Sequence, residues 1–214
     1  MKARSFTLIA SIALALCATA ASASVIHYSS RYSVAGAQSS AADYRTVVDG
    51  LTAVAPGAGY CDRALSSFSG IENSNACAAG SNGNVAFHYR IDFAAAANDV
   101  WSFRAGVDFG LGGAMFLDGN ALTFSSQDLW WANNWANAAE LLQVSGVNLN
   151  AGNHVLDIYG LENCCDGGQQ GQFQIGTSGW TTFAAGDGHN PVPAPATLAL
   201  LGAGLAGLGL RRSK

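Results

Sequence analysis

Three tryptophans within six residues, Trp130, Trp131 and Trp135, are interleaved with Asn133 and Asn134 and follow Asp128. An indole offers a large apolar face with one polar handle, and amides bind hydroxyls, so this set has the chemistry of a platform for sugar rings. The same residues could equally cap one end of a hydrophobic core, because Trp is usually mostly buried. Asp108, Asp118 and Asn120 offer hard oxygen ligands of the kind calcium takes, provided that the strands flanking residues 110–112 pair and bring them together. The competing use is as ordinary turn residues. Asp92, Asp99, Asp108, Asp118, Asp128, Glu140, Asp157 and Glu162 supply many combinations for glycoside hydrolysis, but no pair stands out. His27, His88, His154 and His189 fall on separate segments and form no spaced ligand set with Cys or carboxylates. His88 falls on the polar face of its segment, and His154 follows a Gly-Asn turn that it can stabilise. With no serine elbow, P-loop or HExxH signature, a secreted hydrolase ranks behind a binding or structural protein.

These residues sit in a body of unusual charge. All 14 carboxylates lie between Val25 and Asn190, with five arginines and no lysine, a net of −9 with His neutral. Only 11% of the 214 residues are charged, and 50% are hydrophobic. An acidic, Lys-free body argues against nucleic acid and anionic membrane as partners. The other basic residues are Lys2 and Arg4 at one end and Arg211, Arg212 and Lys214 at the other.

Both ends have targeting layouts. Residues 1–23 run from a basic start through an apolar stretch to Ala21-Ser22-Ala23, a signal peptide with a small-residue cleavage site, which implies Sec export and signal peptidase. At the other end, Pro191-Val192-Pro193-Ala194-Pro195 precedes an uncharged run from Ala196 to Leu210 and then the basic cluster. That run spans roughly 22 Å as a helix at ~1.5 Å per residue, short of a ~30 Å hydrocarbon core. It shows no polar face, so a hydrophobic helix in lipid is expected, with its cations on the cytoplasmic side. The exported body keeps Cys61, Cys77, Cys164 and Cys165, an even number that reads as disulfides. Local pairing, Cys61 with Cys77 and Cys164 with Cys165, is expected; the alternative ties the adjacent cysteines to Cys61 and Cys77.

Between the ends, the patterns are those of strands. Residues 84–93 alternate strictly, with Val85, Phe87, Tyr89, Ile91 and Phe93 on one face. Residues 99–109 repeat this with Trp101, Phe103, Ala105 and Val107. Asp118-Gly119-Asn120 marks a hairpin between residues 114–117 and 121–124. Asn150-Ala151-Gly152-Asn153 reads as a second hairpin, between residues 141–149 and 155–160. Residues 172–176 and 180–183 complete the strands. An edge strand is expected at 25–32, a helix at 41–54 and a loop at 66–83. The fold expected is an all-β, antiparallel, jelly-roll-like β-sandwich over residues 24–186 with a loop-rich N-terminal part, a linker at 187–195, and a hydrophobic helix and basic tail at 196–214.

Two resemblances follow from particular residues. The order of the tail, with Pro193, Ala194 and Pro195 before the apolar run and Arg211 and Arg212 after it, resembles the PEP-CTERM sorting signal of Gram-negative bacteria, although Ala194 stands where Glu often does. This implies handling by an exosortase-type membrane protease, a transient inner-membrane anchor, and delivery to the cell surface or matrix, with exopolysaccharide as a partner. Glu162-Asn163-Cys164-Cys165-Asp166-Gly167-Gly168 together with the tail is similar to CCXG-type PEP-CTERM proteins. The segments Trp101-Ser102-Phe103, Gly113 to Asn120 and Leu149 to Tyr159 resemble the protective-antigen-type β-sandwich module of toxins, adhesins and glycosidases. In adhesin relatives calcium sits on two adjacent aspartates; Val107-Asp108-Phe109 stands there instead. The reading is an exported, non-catalytic surface or matrix protein, with a carbohydrate-binding module using the Trp cluster as the alternative.

Overall fold

The alternation that starts at Val85 becomes the central strand of the molecule. The computed structural model describes residues 24–189. The signal segment 1–23, the residues Pro193, Ala194, Pro195, Arg211 and Arg212, and the expected C-terminal helix lie outside the described residues. In chain order the elements are β1 (Val25–Tyr32), α1 (Ala41–Thr52), β2 (Asp62–Leu65), β3 (Ser69–Ile71), α2 (Asn73–Ala76), β4 (Val85–Ala95), β5 (Asp99–Gly106), β6 (Asp108–Phe109), β7 (Gly113–Leu117), β8 (Asn120–Ser125), β9 (Leu129–Trp130), β10 (Leu141–Leu149), β11 (Gly152–Glu162), β12 (Gln169–Ile175) and β13 (Thr181–Thr182).

A six-stranded sheet in the order β2-β1-β4-β11-β7-β8 faces a smaller one in the order β10-β5-β12-β13, with β3 also on β12, and all pairings are antiparallel. Val85, Phe87, Tyr89, Ile91 and Phe93 are all fully buried and meet Trp101, Phe103 and Phe173 from the other sheet. This is the register the period-two pattern dictates, and the β-sandwich is as expected. The larger sheet is covered on its second face too. Tyr44 and Val48 of α1 pack on Ala86, Ala114, Phe116 and Tyr159, the alternate positions of β4, β7 and β11. Ser40 caps the helix by accepting from the Asp43 amide at 3.2 Å, and the Tyr44 hydroxyl donates to the Leu111 carbonyl at 2.6 Å.

Three local expectations change. β1 is not an edge strand: β2 pairs along its outer side. The polar β2, Asp-Arg-Ala-Leu, shows no alternation of its own and is held by the Cys61–Cys77 disulfide at its start. Residues 66–83 are not all loop; they hold β3 and α2 around a fully buried Asn73. Its side-chain oxygen accepts from Tyr28 at 2.9 Å and Ser30 at 2.6 Å, and its amide nitrogen donates to Gly59 and Ser81 carbonyls at 2.8 and 2.7 Å. A buried polar side chain so satisfied can organise a segment that no hydrophobic pattern announces. The Asp118-Gly119 turn does join the β7–β8 hairpin, with both residues at positive φ. The 150–153 turn does not make a hairpin: β10 pairs with β5 in one sheet, and β11 pairs with β4 and β7 in the other. Turn residues specify a reversal, whereas the ladder partner is decided by which sheet each apolar face can complete. The β4–β5 connection crosses beside it, and Asn98 accepts from the Ala151 amide at 2.7 Å.

Candidate functional site

One end of the sandwich, where β11 finishes at Glu162, carries a small separate ribbon. β6 and β9 pair antiparallel, setting Asp108 opposite Trp130 and Phe109 opposite Leu129. Phe109 and Leu129 are fully buried and anchor the ribbon in the core. Residues directly opposite on an antiparallel pair share a face. Asp108 and Trp130 therefore stand together at a cleft of about 520 Å³, which Asp128, Glu162, Asn163, Cys164 and Cys165 also line. Trp130 is 66% exposed.

The cleft is acidic, and its carboxylates are held mostly by backbone amides. Glu162, 2% exposed, accepts from the Gly110 amide on one oxygen and from the Cys164 amide at 2.6 Å on the other. A Cβ at Gly110 would lie 3.0 Å from both Glu162 oxygens, so a side chain there would crowd this contact. Burial pushes the Glu162 carboxyl above its ordinary range, against the pull of these amides. Burial and then the Glu162 charge push Asp108 up to about 6. Behind them Asp166 accepts from the Asn73 amide at 2.5 Å and from the Gln169 side chain at 3.0 Å. Burial raises its carboxyl to about 7, with added repulsion from Asp108 and Glu72. The next wall is the pair Cys164–Cys165, joined to each other, with Cys165 at positive φ and both residues exposed. Both disulfides thus follow the local pairing.

The tryptophan segment does not form one platform. Trp131 is 2% exposed and lies over Gly106, where a Cβ would collide with its ring. Trp135 packs on Trp131 with centroids 4.4 Å apart and sits on the outer face of the smaller sheet. Asn133 and Asn134 are exposed; Asn134 spends its side-chain oxygen on the Ala136 amide at 3.1 Å. The two readings of the cluster divide by residue: Trp130 is presented to solvent and Trp131 is packed.

The three residues read as a calcium set do not converge. Asp118 lies beside Val155, and Asp108 lies near Glu162, seven positions along β11, roughly 24 Å at ~3.4 Å per residue. Asp118 accepts from the Val155 amide at 2.9 Å and contacts the His154 ring at 2.7 Å, which closes the turn, while Asn120 donates back to the Asp118 carbonyl at 3.3 Å. Among the described residues, no group of three or more His, Cys, Asp or Glu is disposed to hold a metal ion. His88 pairs across strands with Asp157 at 2.9 Å.

Asp166 and Arg104 escaped attention in the sequence. The density of Glu, Asn, Cys, Cys, Asp and Gly at 162–168 was the available signal for Asp166. Arg104 stands at a polar position of its strand pattern, but its partners come from distant segments.

Residues 191–213 match the PEP-CTERM protein-sorting motif. That motif implies export and sorting to the cell surface. No curated protein matches the chain. Among solved structures the fold is similar to a PA14 sugar-binding domain from an RTX adhesin, with a TM-score of 0.52 at 10% identity over 79% of this chain and 99% of that one. It is also similar to an anti-sigma factor domain-containing protein, with a TM-score of 0.51 at 6% identity over 79% of this chain and 49% of that one. At these identities the likeness is one of fold.

Proposed function

We propose that this is an exported, surface-sorted protein whose β-sandwich binds carbohydrate in the cleft beside Trp130 without cleaving it. The observation that carries the reading is the exposed Trp130 indole standing beside the half-buried Asp108 and the exposed Asp128 at a cleft large enough to admit a sugar ring. An apolar ring stacks on the C–H face of a pyranose, and carboxylate oxygens accept from its hydroxyls. The exposed Cys164–Cys165 pair adds a second apolar wall. Binding is favoured over hydrolysis because Glu162, whose charge acts on Asp108, is 2% exposed and turned toward the Gly110 and Cys164 amides, away from a position where it could act on a glycosidic bond in the cleft. The fold is also one that an RTX adhesin uses as a sugar-binding domain.

On this reading Sec and signal peptidase release the chain at the 23–24 junction. An exosortase-type protease of a Gram-negative bacterium then handles the tail, and exopolysaccharide is the nearest ligand. The cleft is tested on a glycan array. Wild-type protein should bind a subset of glycans, and Trp130→Ala should weaken that binding at least tenfold; no bound glycan, or unchanged binding by the variant, overturns it. Sorting is tested separately by replacing Arg211, Arg212 and Lys214 with Ser and fractionating cells. An unchanged final location and unchanged tail processing would defeat that part.

A further inference from the structure

The outer face of the smaller sheet holds a cation that, among the described residues, is the one packed against two indoles. Arg104 of β5 points outward, and its guanidinium carbon lies 4.1 Å from the ring centre of Trp135 and 4.1 Å from that of Trp180. Its Nε and Nη2 donate to one neutral acceptor, the Gln172 side-chain oxygen, at 2.8 and 2.5 Å. Arg31 and Arg90 pair with Asp62 and Asp92, but Arg104 has no carboxylate partner among the described residues. Its Nη1 group makes no hydrogen bond among those residues.

This geometry fixes what can approach. Both indoles lie against the guanidinium, which leaves its rim as the part that a polar ligand can reach. Gln172 takes the Nε side of that rim. The end formed by Nη1 and Nη2 remains, and it is the edge that matches the two oxygens of a carboxylate. Gln143, exposed, stands opposite Arg104 on β10, and Trp135 and Trp180 flank the guanidinium. Rings and amides suit pyranoses on either side of the carboxylate.

We propose that Arg104, clamped between Trp135 and Trp180, is a binding site for the carboxylate of a uronic acid within an otherwise neutral polysaccharide. A body of net −9 selects against a densely charged polymer and favours isolated acidic sugars separated by neutral ones. The site is separate from the Trp130 cleft and does not depend on the reading of that cleft.

The test is native affinity electrophoresis of the exported body in gels containing gellan, which carries one glucuronate per repeat, or carboxyl-reduced gellan, without divalent cations. The protein is acidic, so bulk charge gives no attraction for the acidic polymer, and any preference for it must be local. We expect retardation by gellan at least tenfold stronger, as an apparent Kd, than by the reduced polymer. Arg104→Lys, which keeps the charge and loses the planar fork, should lose most of that preference, and Trp180→Ala should weaken it. Equal retardation by both polymers, no retardation by either, or an Arg104→Lys variant that discriminates as well as wild type would overturn the proposal. The comparison of polymers needs no variant, so a misfolded substitution cannot mask the result.

Discussion

The cleft and the outer face of the smaller sheet share one segment and have opposite electrostatics. Trp130 borders Asp108, Asp128 and Glu162 with no cation among the cleft's lining residues, while five residues on Trp135 lies against Arg104, a cation with no carboxylate. In the cleft the charges are tied down: backbone amides hold Glu162 and Asp166, and burial raises their carboxyls. On the face, the charge is held by two indoles and by Gln172, and keeps the Nη1 end of its rim free among the described residues. The difference teaches that one group of carboxylates belongs largely to the architecture, while the lone cation is organised yet uncommitted. Changes to the carboxylates in and behind the cleft should therefore register in stability, and changes to the cation on the face chiefly in binding.

The largest effect is expected where both regions draw on the same core. Phe87 stacks on Tyr89 and Phe109, and Phe109 anchors the β6–β9 ribbon. Phe87→Ala should cost about 3–5 kcal/mol in equilibrium unfolding. A cost below about 1 kcal/mol would mean that the cleft is not coupled to the core. Next is the Cys61–Cys77 bond, 16 residues apart, which restrains the segment carrying Asn73 behind the cleft. Replacing both cysteines with Ser should cost about 3 kcal/mol in denaturant melts.

A third effect distinguishes the regions by pH. Asp108 and Asp166 are raised to about 6 and about 7, against about 3.9 in an unfolded chain. Between roughly pH 4 and 7 the folded chain then holds more protons than the unfolded one, so this contribution is full below about pH 4 and is lost as pH rises through 6 and 7. Tm should fall from pH 5 to pH 8, and Asp166→Asn should flatten that slope. A Tm that rises over this window, or a variant with the wild-type slope, would remove the electrostatic distinction. The smallest effect belongs to the face. Arg104→Ala should change stability by about 1 kcal/mol or less, the usual scale of a partly exposed cation–π contact, with the pH slope unchanged. A loss of several kcal/mol would make the Trp135–Arg104–Trp180 stack part of the architecture after all.

Much of the fold was legible because it rests on period-two burial. Val85 through Phe93 and Trp101 through Val107 could be buried in only one register, and the Asp118-Gly119 turn required positive φ at both residues. The helix over Tyr44 and Val48 and the Cys61–Cys77 pair were readable for similar reasons of spacing. The site was only half legible. The Trp segment pointed to the right place, but nothing in it told exposed Trp130 from buried Trp131, since the choice rests on Gly106 lying beneath one of them.

The sequence by itself determined the alternating strands, the turns and the address carried at residues 191–213, because each depends on neighbours along the chain. Tertiary structure alone decided the rest. It sent β10 and β11 to different sheets, gave β1 an outer partner, and built α2 around Asn73. It also kept Asp108 and Asp118 at opposite ends of a strand pair, while bringing Trp180 onto Arg104 from 76 residues away. The physical reason is the same throughout: local patterns say which face of a strand is apolar, but only the packed core says which strand lies beside it.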